Sequence, residues 1–64
     1  MKLDRERINL QMARQGKTVA GIGRELGISR QRMYVIMNSK NVLPITAGRL
    51  AKVLGVDVTE IIEG

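Results

Sequence analysis

Residues 18–37, with the sequence TVAGIGRELGISRQRMYVIM, decide the fold of this chain. The segment contains two short helical patterns, and Thr18 and Ser29 are residues that commonly cap helix N-termini. Gly27 lies between the two patterns, where a sharp turn suits a residue with a positive φ. Gly23 is expected to face the second helix at a point where the two backbones come close. The segment therefore predicts two helices joined by a tight glycine turn.

The rest of the chain continues the helical pattern without strand signals, repeats or low-complexity segments. Further helices are expected over residues 4–15, over 44–55 and from Asp57, which forms a capping box with Glu60. The second helix of the opening segment is expected over 29–38. The apolar residues expected to be buried are Ile8, Met12, Val19, Ile22, Leu26, Ile28, Met33, Ile36, Met37, Leu50, Val53 and Leu54. We predict one compact all-α domain of five short helices that spans the whole chain.

The composition limits the possible classes of function. The 64 residues include neither Cys nor His, and 44% of them are hydrophobic. Without an imidazole or a thiol, and with carboxylates beside basic residues or in helix caps, no nucleophile and base can be assembled. We therefore expect no catalytic residues, no metal site and no cofactor. Met1 leads directly into a charged segment rather than a signal peptide, and the apolar runs are short, so we expect a cytoplasmic protein.

The net charge of +5 is distributed unevenly along the chain. Residues 1–52 hold all eleven Lys and Arg residues against three acidic residues, which gives this part a net charge of +8. Residues 53–64 hold only three acidic residues, a net charge of −3. A basic pole opposite an acidic end orients a protein towards a polyanion. A highly soluble charged surface is the alternative explanation.

The helix expected over 29–38 has an outward face that is polar without being simply charged. Gln31, Val35 and Asn38 follow one another on that face with Tyr34 beside them, and the helix contains neither Lys nor Glu. Amide side chains fit adenine, arginine fits guanine, and a valine methyl can contact the methyl group of thymine. An ordinary amphipathic helix with a chance polar face is the alternative. The pattern favours a helix that reads the major groove of DNA.

Several motifs extend through nearly the whole chain. They include Gly23 with Gly27 four residues later, Leu-Gly-Ile-Ser-Arg at 26–30, and Leu-Ala-Lys-Val-Leu-Gly-Val at 50–56. Together they resemble the Cro/CI-type (XRE, lambda-repressor-like) helix-turn-helix family. The resemblance implies a domain of five short helices in which residues 18–37 form the helix-turn-helix unit. It also implies that the third helix lies in the major groove of DNA.

The resemblance assigns DNA contacts residue by residue. The residues expected to read bases are Arg30 and Gln31, with Val35 one turn further on and Tyr34 beside it. Those expected to contact phosphates are Ser29, Arg32, Asn38, Lys40 and Thr18. Tyr34 and Arg32 are added from their places on the helical wheel, and either could contact bases or phosphates.

Three features depart from the pattern of the family. Val19 stands where the family often has a glutamine that contacts the DNA backbone and braces the recognition helix, so that contact is expected to be missing. Met12 and Met37 align with an Arg–Glu ion pair of many members, which indicates an apolar contact in its place. Such a replacement of a buried ion pair can be neutral or stabilising. Ser39 stands where glycine is common, which leaves the shape of the 38–43 loop open.

We expect a sequence-specific regulator of transcription that acts as a repressor and binds an inverted repeat in double-stranded DNA as a homodimer. Val58 or Ile62 could form the dimer surface or belong to the core. A small adaptor of the same fold that acts through protein–protein contacts is the alternative. Double-stranded RNA is less favoured, because an α-helix cannot enter its narrow major groove. No small-molecule ligand and no membrane contact are expected.

Overall fold

The computed structural model describes residues 1–63 and consists of four α-helices and one 3-10 turn. The elements in chain order are α1 (Arg5–Gln15), α2 (Val19–Leu26), α3 (Arg30–Asn38), α4 (Pro44–Leu54) and the 3-10 turn Val58–Glu60. Within residues 1–63 no strand forms, and one isolated antiparallel bridge joins Leu3 to Ile62. The predicted all-α fold is confirmed. No helix in the described range combines the length and the apolar character that crossing a membrane requires.

Local capping accounts for where the helices begin. The side chains of Asp4, Thr18 and Ser29 each accept a hydrogen bond from the backbone amide three residues later, at 3.1, 3.0 and 3.1 Å. A cap of this kind stabilises a helix by about 1 kcal/mol. Pro44 occupies the first turn of α4, where the missing amide hydrogen would have no partner in any case. The bounds of α1 to α4 therefore agree closely with the predicted ones.

The fifth predicted helix is a single 3-10 turn in the structure. Its capping box is present, since Asp57 accepts from the Thr59 amide at 2.9 Å and Glu60 accepts from the Asp57 amide at 3.1 Å. Hydrogen bonds from the amide and the hydroxyl of Thr59 lower the pKa of Asp57. The chain then leaves the helical path, because Ile61 is buried and its carbonyl accepts from the Asp4 amide at 2.8 Å. The Ile61 carbonyl thus makes a long-range hydrogen bond to the N-terminal segment, and the helix does not continue.

One hydrophobic core lies between the helices. Its buried apolar residues are Leu3, Ile8, Met12, Ile22, Met33, Met37, Val42, Ala47, Leu50, Ala51, Leu54 and Ile61. Five predicted core residues are only partly buried and pack against its edge: Val19, Leu26, Ile28, Ile36 and Val53. Gln11 is buried although it is polar. The predicted periodicity therefore selects seven of the twelve buried apolar residues, misses Leu3, Val42, Ala47, Ala51 and Ile61, and overestimates burial at the edge.

α2 and α3 come into close contact at Gly23. A Cβ atom on Gly23 would lie 2.8 Å from the carbonyl oxygen of Ile28 and 3.0 Å from Cγ of Met33. Gly27 follows α2 with a φ of +75°, which glycine adopts without a steric penalty. The expectations for both glycines are confirmed. The close approach and the turn together fix the position of α3 against α2.

Candidate nucleic-acid interface

α3 is fixed by its buried side and presents the opposite side to solvent. Met33 and Met37 lie in the core, with 0% and 2% of their surface exposed. The exposed residues of α3, which we call the α3 outer face, are Arg30, Gln31, Arg32, Tyr34, Val35 and Asn38. Val35 is 56% exposed although it is apolar. The four residues predicted to read bases therefore lie together on one exposed helix surface.

Arg30 and Tyr34 form a pair one helical turn apart on the α3 outer face. The guanidinium carbon of Arg30 lies 5.9 Å from the centroid of the Tyr34 ring, within the range of a cation–π interaction. This contact restricts a long side chain before any partner binds, so less conformational entropy is lost on binding. The helical pattern of the sequence places both residues on this helix, but it does not predict their pairing.

Thr18 and Ser29, two predicted phosphate contacts, are exposed N-caps. Their hydroxyl oxygens accept hydrogen bonds from the amides of Gly21 and Arg32 at 3.0 and 3.1 Å. Each hydroxyl keeps its hydrogen, which can donate to a phosphate oxygen. Capping and phosphate binding are therefore compatible at both residues. The cap hydrogen bond of Thr18 also engages the backbone amide of Gly21, a glycine within α2.

Arg32 lies on the flank of α3 that faces α4. It lines a cleft of about 220 Å³ whose walls include Ile36, Thr46 and Arg49. Arg30 lies towards the other flank, because residues two positions apart on a helix point in nearly opposite directions. The two arginines therefore extend on either side of the α3 outer face. This placement favours a phosphate contact over a base contact for Arg32.

The loop after α3 is shaped by hydrogen bonds of its own. Ser39 Oγ accepts from the Asn41 amide and donates to the Asn41 carbonyl, both at 3.3 Å. The backbone of Ser39 is extended, with φ −72° and ψ 139°, and such a conformation does not require glycine. The departure from the family pattern at this position is therefore accommodated. Lys40, a predicted phosphate contact, is exposed on this loop.

Asn38, another predicted phosphate contact, is joined to a residue that the sequence analysis did not select. Nη1 of Arg5 donates to Oδ1 of Asn38 at 2.8 Å and so links the first residue of α1 to the last residue of α3. Nε of Arg5 is buried and has no hydrogen-bond partner. The two residues are 33 positions apart, so no local sequence pattern could reveal their contact.

The cations around the α3 outer face are not neutralised within residues 1–63. The ion pairs in this part of the chain join Lys2 to Glu63, Arg7 to Asp4 and Lys17 to Glu25, at 3.3, 3.5 and 3.0 Å. These pairs do not include Arg5, Arg30, Arg32 or Lys40. A surface with unpaired cations attracts a polyanion, and salt screens that attraction. The electrostatic character of the surface thus matches its predicted partner class.

The two apolar departures from the family pattern lie in the scaffold. Val19 is partly buried against the core and offers no polar group at the start of α2. Met12 and Met37 are both buried in the same core, as expected for residues that replace an ion pair by apolar packing. These three positions contribute to packing rather than to the exposed surface.

Large apolar side chains are also exposed beyond α3. Val58 and Ile62, considered above as a dimer surface, are partly buried against the core. Leu43 and Ile45, on either side of Pro44, are 68% and 69% exposed. No sequence pattern marks these two residues, because the end of a loop and the first turn of a helix carry no clear periodicity. Both lie next to the start of α4.

Comparison with known proteins adds no independent indication of function. No protein-family model, no curated protein and no solved structure matches this chain. Among residues 1–63, no group of three or more His, Cys, Asp or Glu residues is placed to hold a metal ion. The family resemblance therefore rests on the sequence motifs, and function is inferred from the surface around α3.

Proposed function

We propose that this protein binds duplex DNA sequence-specifically through the α3 outer face and acts as a transcriptional repressor. The observation that carries the proposal is the composition of that face, which exposes arginine, glutamine, tyrosine, valine and asparagine on a helix whose opposite side is fixed in the core. An α-helix of this kind fits the width of the major groove of B-DNA. In this proposal α2, the turn at Gly27 and α3 act as a helix-turn-helix unit.

The side chains of the α3 outer face match base edges by their chemistry. Arg30 can donate two hydrogen bonds to O6 and N7 of guanine, and Gln31 can bond N6 and N7 of adenine. The exposed methyl groups of Val35 can contact the C5 methyl group of thymine. Tyr34 holds Arg30 by its ring and presents a hydroxyl group of its own. Each good bidentate contact contributes about 1–3 kcal/mol to discrimination between bases.

The residues around this face would contact the DNA backbone. Thr18 and Ser29 offer hydroxyl donors at the starts of α2 and α3, and Arg32 and Lys40 offer charges that no ion pair within residues 1–63 offsets. Contacts of this type fix the position of a domain on the duplex without reading its sequence. Affinity is therefore expected to fall steeply as the salt concentration rises.

The proposal includes a homodimer on DNA. The nine residues of α3 extend over only about 13 Å, so one copy reads few base pairs. Two copies on half-sites about 34 Å apart would double the number of base contacts, and their two-fold symmetry would require an inverted repeat.

Selection of bound duplexes from a random library tests the proposal directly. We expect enrichment of an inverted repeat, and we expect Gln31→Ala to relax the preference at one position of each half-site. Lys52→Ala is the matched control, because Lys52 is exposed on α4 and lies outside the α3 outer face. The absence of any enriched sequence would contradict sequence-specific binding. A promoter reporter that contains the enriched site then tests repression.

Protein binding is a second candidate function, favoured by the exposed pair Leu43 and Ile45. A small adaptor would bury such a pair against a protein partner. Salt dependence separates the two candidates, since binding to duplex DNA releases counterions and an apolar protein contact does not. Loss of duplex binding on Arg30→Ala, with no loss on Leu43→Ala, would favour DNA as the partner.

A further inference from the structure

Arg5 occupies an unusual position at the C-terminal end of α3. Its guanidinium donates one hydrogen bond, from Nη1 to Oδ1 of Asn38 at 2.8 Å. Its Nε is buried without an acceptor, and none of the ion pairs in residues 1–63 includes it. A guanidinium has five donors and cannot lose its charge in a protein. Arg5 therefore carries a charge that no ion pair in the described residues offsets and, apart from the buried Nε, terminal guanidinium donors beyond the one that bonds Asn38.

The hydrogen bond also fixes the orientation of the Asn38 amide. Because Oδ1 of Asn38 accepts from Arg5, the NH₂ group of the same amide points away from Arg5. Asn38 is exposed and lies seven residues after Gln31, which places it two turns further along the same side of α3. The amide donors of Asn38 thus continue the row of polar groups on the α3 outer face.

We infer that Arg5 and Asn38 together form a binding site for a phosphodiester oxygen of the DNA backbone. This inference rests on the proposed function and deepens it, since α1 would then take part in DNA binding. Arg5 supplies a charge-assisted hydrogen bond and Asn38 supplies an oriented amide donor. Lys40, two residues further on, adds a second cation to the same end of the helix.

The electrostatics of a helix C-terminus explain why a cation is needed here. The end of α3 carries a partial negative charge of about half an elementary charge from its last carbonyl groups, and that charge repels phosphate. The positive charge of Arg5 opposes this partial negative charge, and its hydrogen bond holds the Asn38 amide at the same time. A lysine at position 5 would keep the charge, but its compact ammonium group lacks the planar fork that can bond Asn38 and phosphate together.

The alternative role for Arg5 is structural, as a brace between α1 and α3. Both roles predict some loss of stability on substitution, but only the phosphate site predicts a change in salt dependence. Arg14→Ala is the matched control, because Arg14 is exposed near the other end of α1. Arg14 lies nine positions after Arg5, which corresponds to about 13 Å along the helix axis.

The experiment measures binding to two duplexes, the one selected by the wild-type protein and one of unrelated sequence, by fluorescence anisotropy across a series of salt concentrations. We expect Arg5→Ala to weaken binding to both duplexes by about tenfold and to reduce the slope of log affinity against log salt by about 0.9. Arg5→Lys should retain most of the slope while losing affinity. Asn38→Ala should weaken binding less than Arg5→Ala does. The double variant should lose less binding free energy than the sum of the losses of the two single variants.

The outcomes distinguish this inference from the proposed function. If the wild-type protein binds no duplex, the proposed function fails and the inference fails with it. If the wild-type protein binds DNA but Arg5→Ala and Arg14→Ala have the same affinity and slope, the inference alone is wrong and Arg5 is a brace. Circular dichroism verifies that each variant is folded at the temperature used. Should Arg5→Ala unfold, Arg5→Lys and the exposed substitution Asn38→Ala decide the question by the same two readouts.

Discussion

Two regions of the molecule begin with equally well-formed helix caps but continue differently. One is the α2–α3 unit, and the other is the segment 57–63. Thr18 and Ser29 each start a helix of eight or nine residues, whereas Asp57 starts only one 3-10 turn in spite of its capping box. In the α2–α3 unit the apolar sides of two helices face each other, while Ile61 directs the chain into pairing with the N-terminal segment. A cap therefore determines where a helix begins, and packing determines how far it continues.

The same two regions also differ in charge. α3 contains two arginines and no acidic residue, while residues 57–63 contain three acidic residues and no Lys or Arg. A duplex is therefore expected to approach the α3 side and to avoid the acidic segment. The comparison predicts that substitutions in the α2–α3 unit affect both stability and binding, and that substitutions in 57–63 affect stability alone.

The largest expected effect is on the contact between α2 and α3. Gly23→Val would bring a branched side chain against the Ile28 carbonyl oxygen, which already lies 2.8 Å from an ideal Cβ position. We expect a loss of roughly 3 kcal/mol in the free energy of unfolding, measured by urea denaturation. Gly48→Val is the control, since a Cβ on exposed Gly48 meets nothing within 4 Å, and it should change stability by less than about 0.5 kcal/mol. Equal effects of the two substitutions would show that the close approach is unimportant.

Next in size is the effect of removing a base contact. Arg30→Ala or Gln31→Ala should weaken binding to the selected duplex by about 1–3 kcal/mol, because each removes hydrogen bonds to one base pair. Binding to a duplex of unrelated sequence should change much less for Gln31→Ala, which removes no charge. Titration of both duplexes at one salt concentration measures the difference. An equal loss on both duplexes would place Gln31 among the backbone contacts instead.

A smaller and less selective effect is expected at Lys40. Lys40→Ala should weaken binding to all duplexes alike and reduce the salt slope by about 0.9, because one phosphate contact is lost. Glu60→Gln in the acidic segment is the contrasting variant, and it should not reduce the slope. A sequence-dependent effect of Lys40→Ala would argue for a base contact at this residue.

The smallest effect concerns the acidic segment. Hydrogen bonds from the Thr59 amide and hydroxyl lower the pKa of Asp57 below its ordinary value of 3.8, so the ionised carboxylate stabilises the fold above that pH. This contribution is lost as the pH falls through the lower pKa of the folded state. We therefore expect the melting temperature of Asp57→Asn to fall less steeply than that of the wild-type protein as the pH is lowered from about 4 to about 2. Parallel melting curves across this range would contradict the prediction, and DNA binding at neutral pH should be unchanged.

Much of the candidate site could be predicted because its residues lie on one helix. The side of α3 that holds Gln31, Val35 and Asn38 follows from helical geometry once Ser29 is recognised as the cap and Met33 as a buried residue. The pairing of Arg30 with Tyr34 follows the same spacing, although side-chain conformation decides whether the two groups meet. Residues within one or two turns of each other are the ones that a sequence pattern can relate.

The sequence by itself determined the starts and ends of α1 to α4, most of the buried apolar residues of these helices, and the composition of the α3 outer face. These features depend on caps, glycines and apolar spacing within a few positions of each other. Only the tertiary structure decided that Arg5 meets Asn38, that Leu3 pairs with Ile62, and that the helix predicted from Asp57 stops after one turn. Contacts between residues far apart in the chain depend on how all the helices pack together, and no local pattern contains that information.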